Sequence, residues 1–267
     1  MCVYELIMTS YNYYLPMHVT DLLIYLNDLL SSESFPDYGP NGLQIGNLNT
    51  NVEKIAVGVT ADLSTIQAAI KLGANILIVH HGLFWKGMPY PITGMLYKRI
   101  QLLIKHDIQL LAYHLPLDAH PIIGNNWKVA RDLQWTNLEP FGSSLPYLGV
   151  QGSFPPISIE NFVENLSNYY QSPIKAQALG GPQTISSAAL ISGGAYKELS
   201  QAILCKIDCF ITGNFDEPAW SMALENHVHF LAFGHTATEK AGPKALAHYL
   251  QTNLQVSSTF IDTDNPF

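Results

Sequence analysis

A β-α-β rhythm occurs twice along the 267-residue chain, and this repeat limits the possible folds more than any other feature of the sequence. The first copy has apolar strands predicted at 55–60, 76–79 and 108–113. The second copy has strands predicted at 188–192, 209–212 and 228–233. The strand starts repeat with nearly the same offset in both copies, so the sequence predicts two related α/β units.

The segments around the repeats suggest how the chain is divided. We assign residues 1–128 and about 240–267 to the first α/β unit, because a final helix and strand follow the second copy. Residues 129–239 form the predicted second unit, and the tyrosine-rich residues 1–16 are predicted to be an accessory leader. The segment 35–46 is dense in Pro and Gly, which predicts a loop that approaches a ligand or another chain closely.

Composition excludes several classes of protein. A net charge of −8, with 13 Lys and Arg in total and no basic cluster, argues against a general nucleic-acid binder. No apolar run is long enough to cross a membrane, and the N-terminal segment lacks the basic start of a signal peptide. The three cysteines form no CxxC pair, which is typical of a reducing compartment. We expect a cytoplasmic protein whose partners are small molecules or further copies of itself.

The second strand of the first unit ends in two adjacent histidines, His80 and His81. Open α/β folds bind ligands beyond the carboxyl edge of the sheet, so both side chains are well placed for a site. Within a pleated strand they would face opposite sides, but at its end both imidazoles could turn towards one point. A pair of metal ligands is therefore one interpretation. The alternative is one buried histidine and one surface histidine.

Two carboxylates and a third imidazole are predicted to lie near the same edge. Asp118 follows the third strand of the first unit, and His235 and Glu239 follow the third strand of the second unit. If Thr236 opens a helix, His235 and Glu239 lie on one helical face about 6 Å apart. The alternative for Glu239 is a solvated residue paired with a nearby lysine.

This set of side chains favours metal binding. Three imidazoles and two carboxylates suit zinc, iron or manganese, whereas calcium prefers oxygen ligands alone. Five ligands are too many for one tetrahedral zinc, but they fit two divalent metals about 3.5–4 Å apart that share a bridging ligand. We therefore predict two metal ions per subunit in the cleft between the units, with these ligands: His80, His81, Asp118, His235 and Glu239.

A family resemblance rests on four motifs that occur in one order. They are Asn41-Gly-Leu-Gln-Ile45, His80-His-Gly-Leu-Phe-Trp-Lys86, His114-Leu-Pro-Leu-Asp-Ala-His120 with Gly124-Asn-Asn126, and Gly234-His-Thr-Ala-Thr-Glu-Lys240. From about residue 18 onward the chain resembles the short bacterial form of the GTP cyclohydrolase 1 type 2 homologue family, also called the Nif-three-like family. The resemblance implies two intertwined three-layer α/β units, a dinuclear centre on the same five ligands and a homohexameric ring.

The resemblance also implies a reaction. Metal-activated water would attack C8 of the guanine of a nucleotide such as GTP, with loss of formate. His114 would lie beside the metal ligands, as a supporting group or a proton shuttle, and His120 is a second candidate shuttle. Without a P-loop the phosphates would need scattered groups such as Lys86 or Lys128. Two alternatives stay open, namely a phosphoesterase and a non-catalytic ring that binds metal or a partner.

Overall fold

The computed structural model describes residues 17–267, so the predicted leader, residues 1–16, lies outside the described residues. The chain forms a mixed α/β fold with two sheets, one of five strands and one of six. Within residues 17–267, no helix has the length and apolar character that a membrane crossing requires.

The strands and helices are named in chain order. The strands are Gly42–Ile45 (β1), Lys54–Thr60 (β2), Ile76–His81 (β3), Gln109–Ala112 (β4), Thr136–Phe141 (β5), Gly149–Ser158 (β6), Ala176–Leu179 (β7), Thr184–Leu190 (β8), Cys209–Thr212 (β9), His229–Ala232 (β10) and Ser257–Phe260 (β11). The helices are Val19–Leu29 (α1), Leu63–Leu72 (α2), Gly94–Lys105 (α3), Leu115–Ala119 (α4), Asn125–Asp132 (α5), Ile159–Tyr170 (α6), Leu199–Leu204 (α7), Pro218–Glu225 (α8), His235–Thr238 (α9) and Ala241–Asn253 (α10).

The first sheet has the order β1-β4-β3-β2-β11, with only the β1–β4 pair antiparallel. Its central strands are buried on both faces, which explains their nearly continuous apolar sequence. In β3, Ile76 and Ile78 pack with α1 and α10 on one face, while Leu77 and Val79 pack with α2 and α3 on the other. The sheet is therefore the middle of three layers.

The second sheet has the order β5-β6-β8-β9-β10-β7, in which β8, β9 and β10 are parallel neighbours. Helices α5 and α6 cover one face of it, and α7 and α8 cover the other. The chain passes from β4 into this sheet and returns through α10, so that β11 pairs with β2 of the first sheet. Strand ends of both sheets can thus contribute to one site.

Several local predictions are confirmed. The sequence predicts Asp62 or Ser64 as the N-cap of α2 and Gly73 as the residue after its end. In the structure the Asp62 side chain accepts a hydrogen bond from the backbone N–H of Thr65 at 2.8 Å, and Gly73 ends the helix with a φ of 67°. Strand β9 matches the predicted range, 209–212, at both ends. The sequence predicts a helix from about 94 to 106 with Thr93 as its cap, and α3 begins directly after Thr93.

Other local predictions are wrong. The segment predicted to be all loop, 35–46, contains β1, because an edge strand tolerates the glycines beside it. The sequence predicts Thr20 or Asp21 as the cap of α1, but His18 caps it, and the backbone N–H of His18 donates to Asp21. The sequence of 195–206 predicts one helix, but the structure divides this segment into a 3-10 turn, Tyr196–Glu198, and α7.

Candidate metal centre

The structure brings all five predicted ligands into one cluster. His80 and His81 lie at the carboxyl end of β3, and Asp118 lies in α4, just after β4. His235 begins α9 and Glu239 follows its last residue, just after β10 of the second sheet. The prediction that the strand stops before the histidines is wrong, because β3 continues through His81, which pairs with Thr60 of β2. Their rings nevertheless lie close, with centroids 4.6 Å apart.

Glu239 lies at the centre of the cluster, and its side chain is only 3% exposed. Its carboxylate is 3.5 Å from Nε2 of His80, 3.2 Å from Nε2 of His81 and 3.1 Å from Nε2 of His235. Asp118 lies 3.6 Å from Nε2 of His80. Three groups of three potential ligands lie here. Two of them share Glu239, one with His80 and Asp118 and the other with His81 and His235, and the third consists of His80, His81 and His114.

Contacts outside the cluster orient the two strand-end imidazoles. Nδ1 of His80 is 3.1 Å from the carbonyl oxygen of Tyr113, which can only accept, so Nδ1 carries the proton. Nδ1 of His81 is 3.1 Å from the hydroxyl of Thr60. Both rings thus turn Nε2 towards the centre, and the neutral form of His80 presents a lone pair there that can bind a cation.

Unsatisfied buried atoms indicate that the cluster fits a metal. Among the described residues, Nε2 of His80 and Oε2 of Glu239 are buried and have no hydrogen-bond partner. Leaving such atoms unpaired is costly, and a bound cation would satisfy both. Nitrogen and carboxylate donors in two groups of three are a ligand set that zinc, iron and manganese accept.

The electrostatics of the cluster favour positive charge at its centre. Burial alone would lower the pKa of His80, but the carboxylates of Asp118 and Glu239 outweigh it and raise this pKa to about 9. Burial alone would raise the pKa of Glu239, but the imidazoles of His81 and His80 hold it well below its usual range. A carboxylate that stays ionised while buried is suited to bind a cation.

Asp118 is held by a buried amide network that the sequence did not reveal. Asn125 Nδ2 and the Ser192 hydroxyl both donate to Oδ1 of Asp118, at 2.9 Å. Asn126 Nδ2 donates to the carbonyl oxygens of Asp118 and Leu148, at 3.3 and 2.8 Å. Asn125 and Asn126 belong to the Gly124-Asn-Asn126 motif. Their roles depend on contacts with distant segments, which no regular spacing in the sequence predicts.

His114 lies beside the cluster, as the resemblance implies. Its ring centroid is 5.0 Å from that of His80 and 5.5 Å from that of His81. Nδ1 of His114 is 2.7 Å from Oδ1 of Asp37, a residue of the segment predicted to be a loop. Asp37 also accepts from the backbone N–H of Leu115 at 3.0 Å, and it was missed because the sequence shows no link between these positions.

Three other candidates have different roles. His120 uses Nδ1 to accept the backbone N–H groups of Ile122 and Ile123, both at 3.1 Å, so it stabilises its own turn. Lys86 is exposed, and Lys128 pairs with Asp132 along α5. The geometry therefore gives none of the three a place in the cluster.

Gly193 allows the chain to approach Glu239 closely. Its φ is 66°, and a Cβ atom there would lie 2.3 Å from Oε1 of Glu239. We expect Gly193→Ala to lower the free energy of unfolding by about 2–4 kcal/mol, from left-handed strain plus displacement of the carboxylate. Urea denaturation measures this loss.

Gly73 offers a matched control for that substitution. Its φ is 67°, but a Cβ atom there would meet nothing within 4 Å. Gly73→Ala should therefore cost only the backbone strain, about 1 kcal/mol. Equal losses in the two variants would contradict a close approach between Gly193 and Glu239.

The fold and the cluster together define a class, a two-sheet α/β protein with a histidine and carboxylate cluster built from both sheets. Residues 17–266 match the family model described as Duf34/NIF3 (NGG1p interacting factor 3). The chain belongs to this family.

Individual relatives agree with the family assignment. The chain is 69% identical to a Chlamydia pneumoniae protein and 37% identical to an Escherichia coli K12 protein, both called "GTP cyclohydrolase 1 type 2 homolog". Each alignment covers 94% of this chain and 100% of the relative.

Solved structures confirm the fold. One, described as protein ybgI of unknown function, has a TM-score of 0.88 and 36% identity. Another, TTHA1606 from Thermus thermophilus, has a TM-score of 0.83 and 31% identity. Both matches cover 94% of this chain and 100% of the other. The predicted family is therefore confirmed.

Proposed function

We propose that the chain is a metal-dependent hydrolase with a dinuclear centre, similar to its relatives called GTP cyclohydrolase 1 type 2 homolog. The observation that carries this proposal is the position of Glu239, whose one buried carboxylate belongs to two of the three groups of potential ligands. In the proposed site, His80 and Asp118 would hold one divalent ion and His81 and His235 would hold the other, with Glu239 within reach of both groups.

The proposed chemistry is hydrolytic. Divalent ions in such a site make water acidic enough to act as a nucleophile near neutral pH. The Asp37 carboxylate, by holding Nδ1 of His114, fixes the direction of that imidazole. Nε2 of His114 is then the atom we propose to carry a proton to or from the substrate. The buried amides around Asp118 keep that carboxylate in place.

A substrate screen of the metal-loaded protein tests the proposal, with GTP included and formate and phosphate measured separately. We expect formate from the unaltered chain and none from His81→Ala, which loses a ligand. His114→Ala should keep its metal but release formate about 100-fold more slowly, as expected for loss of a proton-transferring group. His106→Ala is the control, because His106 is exposed and lies outside the cluster.

The outcomes separate the alternatives. Phosphate without formate would redirect the proposal to a phosphoesterase. Full metal content with neither product from any substrate would favour a non-catalytic protein that binds metal or a partner. The homohexameric ring and the cytoplasmic location stay predictions.

A further inference from the structure

The turn that carries His235 and Glu239 has little support of its own. Helix α9 has four residues, and a helix this short is marginal without contacts from its surroundings. The first backbone N–H groups of a helix have no partner inside it, and Gly234, which precedes α9, has no side chain that could cap them. Two of the five candidate ligands therefore depend on contacts from other parts of the chain.

The segment of residues 262–267 supplies contacts at both ends of this turn. The backbone N–H of Thr236 donates to the main-chain oxygen of Phe267 at 2.7 Å, near the start of the turn. Nζ of Lys240 lies 2.5 Å from Oδ1 of Asp262, directly after the turn. The hydrogen bond satisfies one of the backbone donors that α9 leaves open, and the ion pair fixes the residue that follows the ligands.

Hydrogen bonds within the segment hold it in the shape that reaches the turn. The backbone N–H of Asn265 donates to the carbonyl oxygen of Thr263 at 2.8 Å, and the Asn265 side chain accepts the N–H of Phe267 at 3.1 Å. Gly234 permits the approach, because a Cβ atom there would lie 3.2 Å from the main-chain carbonyl carbon of Phe267. Asn265 and Phe267 line the same cavity as His235, so the segment reaches the edge of the candidate site.

The segment begins in the other half of the site. It follows β11, which pairs with β2, and the N–H of Ile261 donates to the carbonyl oxygen of Val57 at 2.7 Å. Strand β2 is the neighbour of β3, whose end carries His80 and His81. The segment therefore runs from the first sheet, which carries two of the candidate ligands, to the turn that carries two others.

We propose that segment 262–267 is a clamp, which holds the turn of His235 and Glu239 in place against the first sheet and so determines how firmly the site retains metal. This inference rests on the proposed function, in which ligands from both sheets bind the ions. None of the clamp residues is a candidate ligand, so they act by positioning. Most of the segment is exposed, so it can detach without unfolding either sheet, and metal retention falls when it does. Lys240 acts through Asp262 in this arrangement.

The rate at which the manganese-loaded protein releases its metal to excess EDTA tests the clamp. Asp262→Ala should speed release about 3-fold, as the loss of one partly exposed ion pair gives. Deletion of residues 265–267 should speed it about 5-fold, because the hydrogen bond to Thr236 is lost. Asp262→Glu keeps the charge and should keep the slow release. Asp264→Ala is the control, because Asp264 lies in the same segment, is exposed and forms no ion pair within residues 17–267.

Hydrogen exchange at the backbone N–H of Thr236 tests the clamp in the chelator-treated protein, where metal makes no contribution. We expect exchange to be about 5-fold faster after deletion of residues 265–267 and about 3-fold faster in Asp262→Ala, because the turn opens more often when a contact is lost. Asp264→Ala should leave the exchange rate unchanged.

Two results would overturn the inference. One is that Asp262→Ala and the deletion release metal and exchange hydrogen at the same rates as Asp264→Ala. The other is faster metal release with unchanged exchange at Thr236, since the effect would then come from charge near the site and not from the turn. A chain that holds two metals and releases formate but gives either result keeps its proposed function. A chain that binds no metal loses the proposed function, and exchange at Thr236 then decides for or against the clamp by itself.

Discussion

The double variant His235→Ala with Glu239→Ala is expected to lose almost all of its bound divalent metal, from about two ions per chain to less than a tenth of that. Glu239 belongs to two of the three groups of potential ligands, so its loss weakens both proposed sites together. His235 and Glu239 are the two ligands that follow β10, so the double variant keeps none of the ligands contributed from the second sheet. Elemental analysis after dialysis measures the metal.

The control for this variant uses the same residue types elsewhere. His106 and Glu225 are both exposed and lie outside the cluster, so His106→Ala with Glu225→Ala should keep full metal content. Circular dichroism should show that both double variants remain folded, because the cluster contributes little of the apolar core. Full metal content in the His235 and Glu239 variant would remove the metal assignment.

The cluster could be predicted from the sequence because this fold brings the carboxyl ends of several strands close together. Parallel strands place their carboxyl ends at one edge, so residues that follow different strands in the sequence meet in space. His80 and Asp118 are 38 positions apart in the numbering, yet His80 lies at the end of β3 and Asp118 follows the neighbouring strand, β4. These positions could be located because buried strands appear in the sequence as apolar runs, which can be recognised without knowledge of the neighbouring strands.

The surroundings of the cluster could not be predicted in this way. Asp37 contacts His114 across 77 positions of sequence, and Asn126 contacts Ser192 across 66. Such hydrogen bonds follow no regular spacing along the chain. In the sequence, Asp37 and Asn126 therefore cannot be distinguished from polar residues that are exposed to solvent. Strand β1 was not predicted for a different reason. The Gly and Pro residues of this segment predict a turn, but pairing with β4 stabilises an edge strand there.

Asn126→Ala is expected to lower the free energy of unfolding by about 3–5 kcal/mol, because it leaves several buried polar groups without partners. Asn126 is fully buried, and its side chain links three segments of the chain. It donates to the carbonyl oxygens of Asp118 and Leu148, and it accepts the backbone N–H of Ser192 at 2.7 Å. Urea denaturation of the chelator-treated protein measures this loss without any contribution from bound metal.

The matched control is Asn253→Ala at the end of α10. Asn253 also donates from its side chain, to the carbonyl oxygen of Tyr249 at 2.9 Å, but both groups can bond to water because the position is exposed. We expect a loss below about 1 kcal/mol there. A similar small loss for Asn126→Ala would show that water replaces the missing amide. A large loss would show that the segment carrying Asp118 and the strand end at Ser192 depend on this side chain, and that the amide network joins the two sheets at the site.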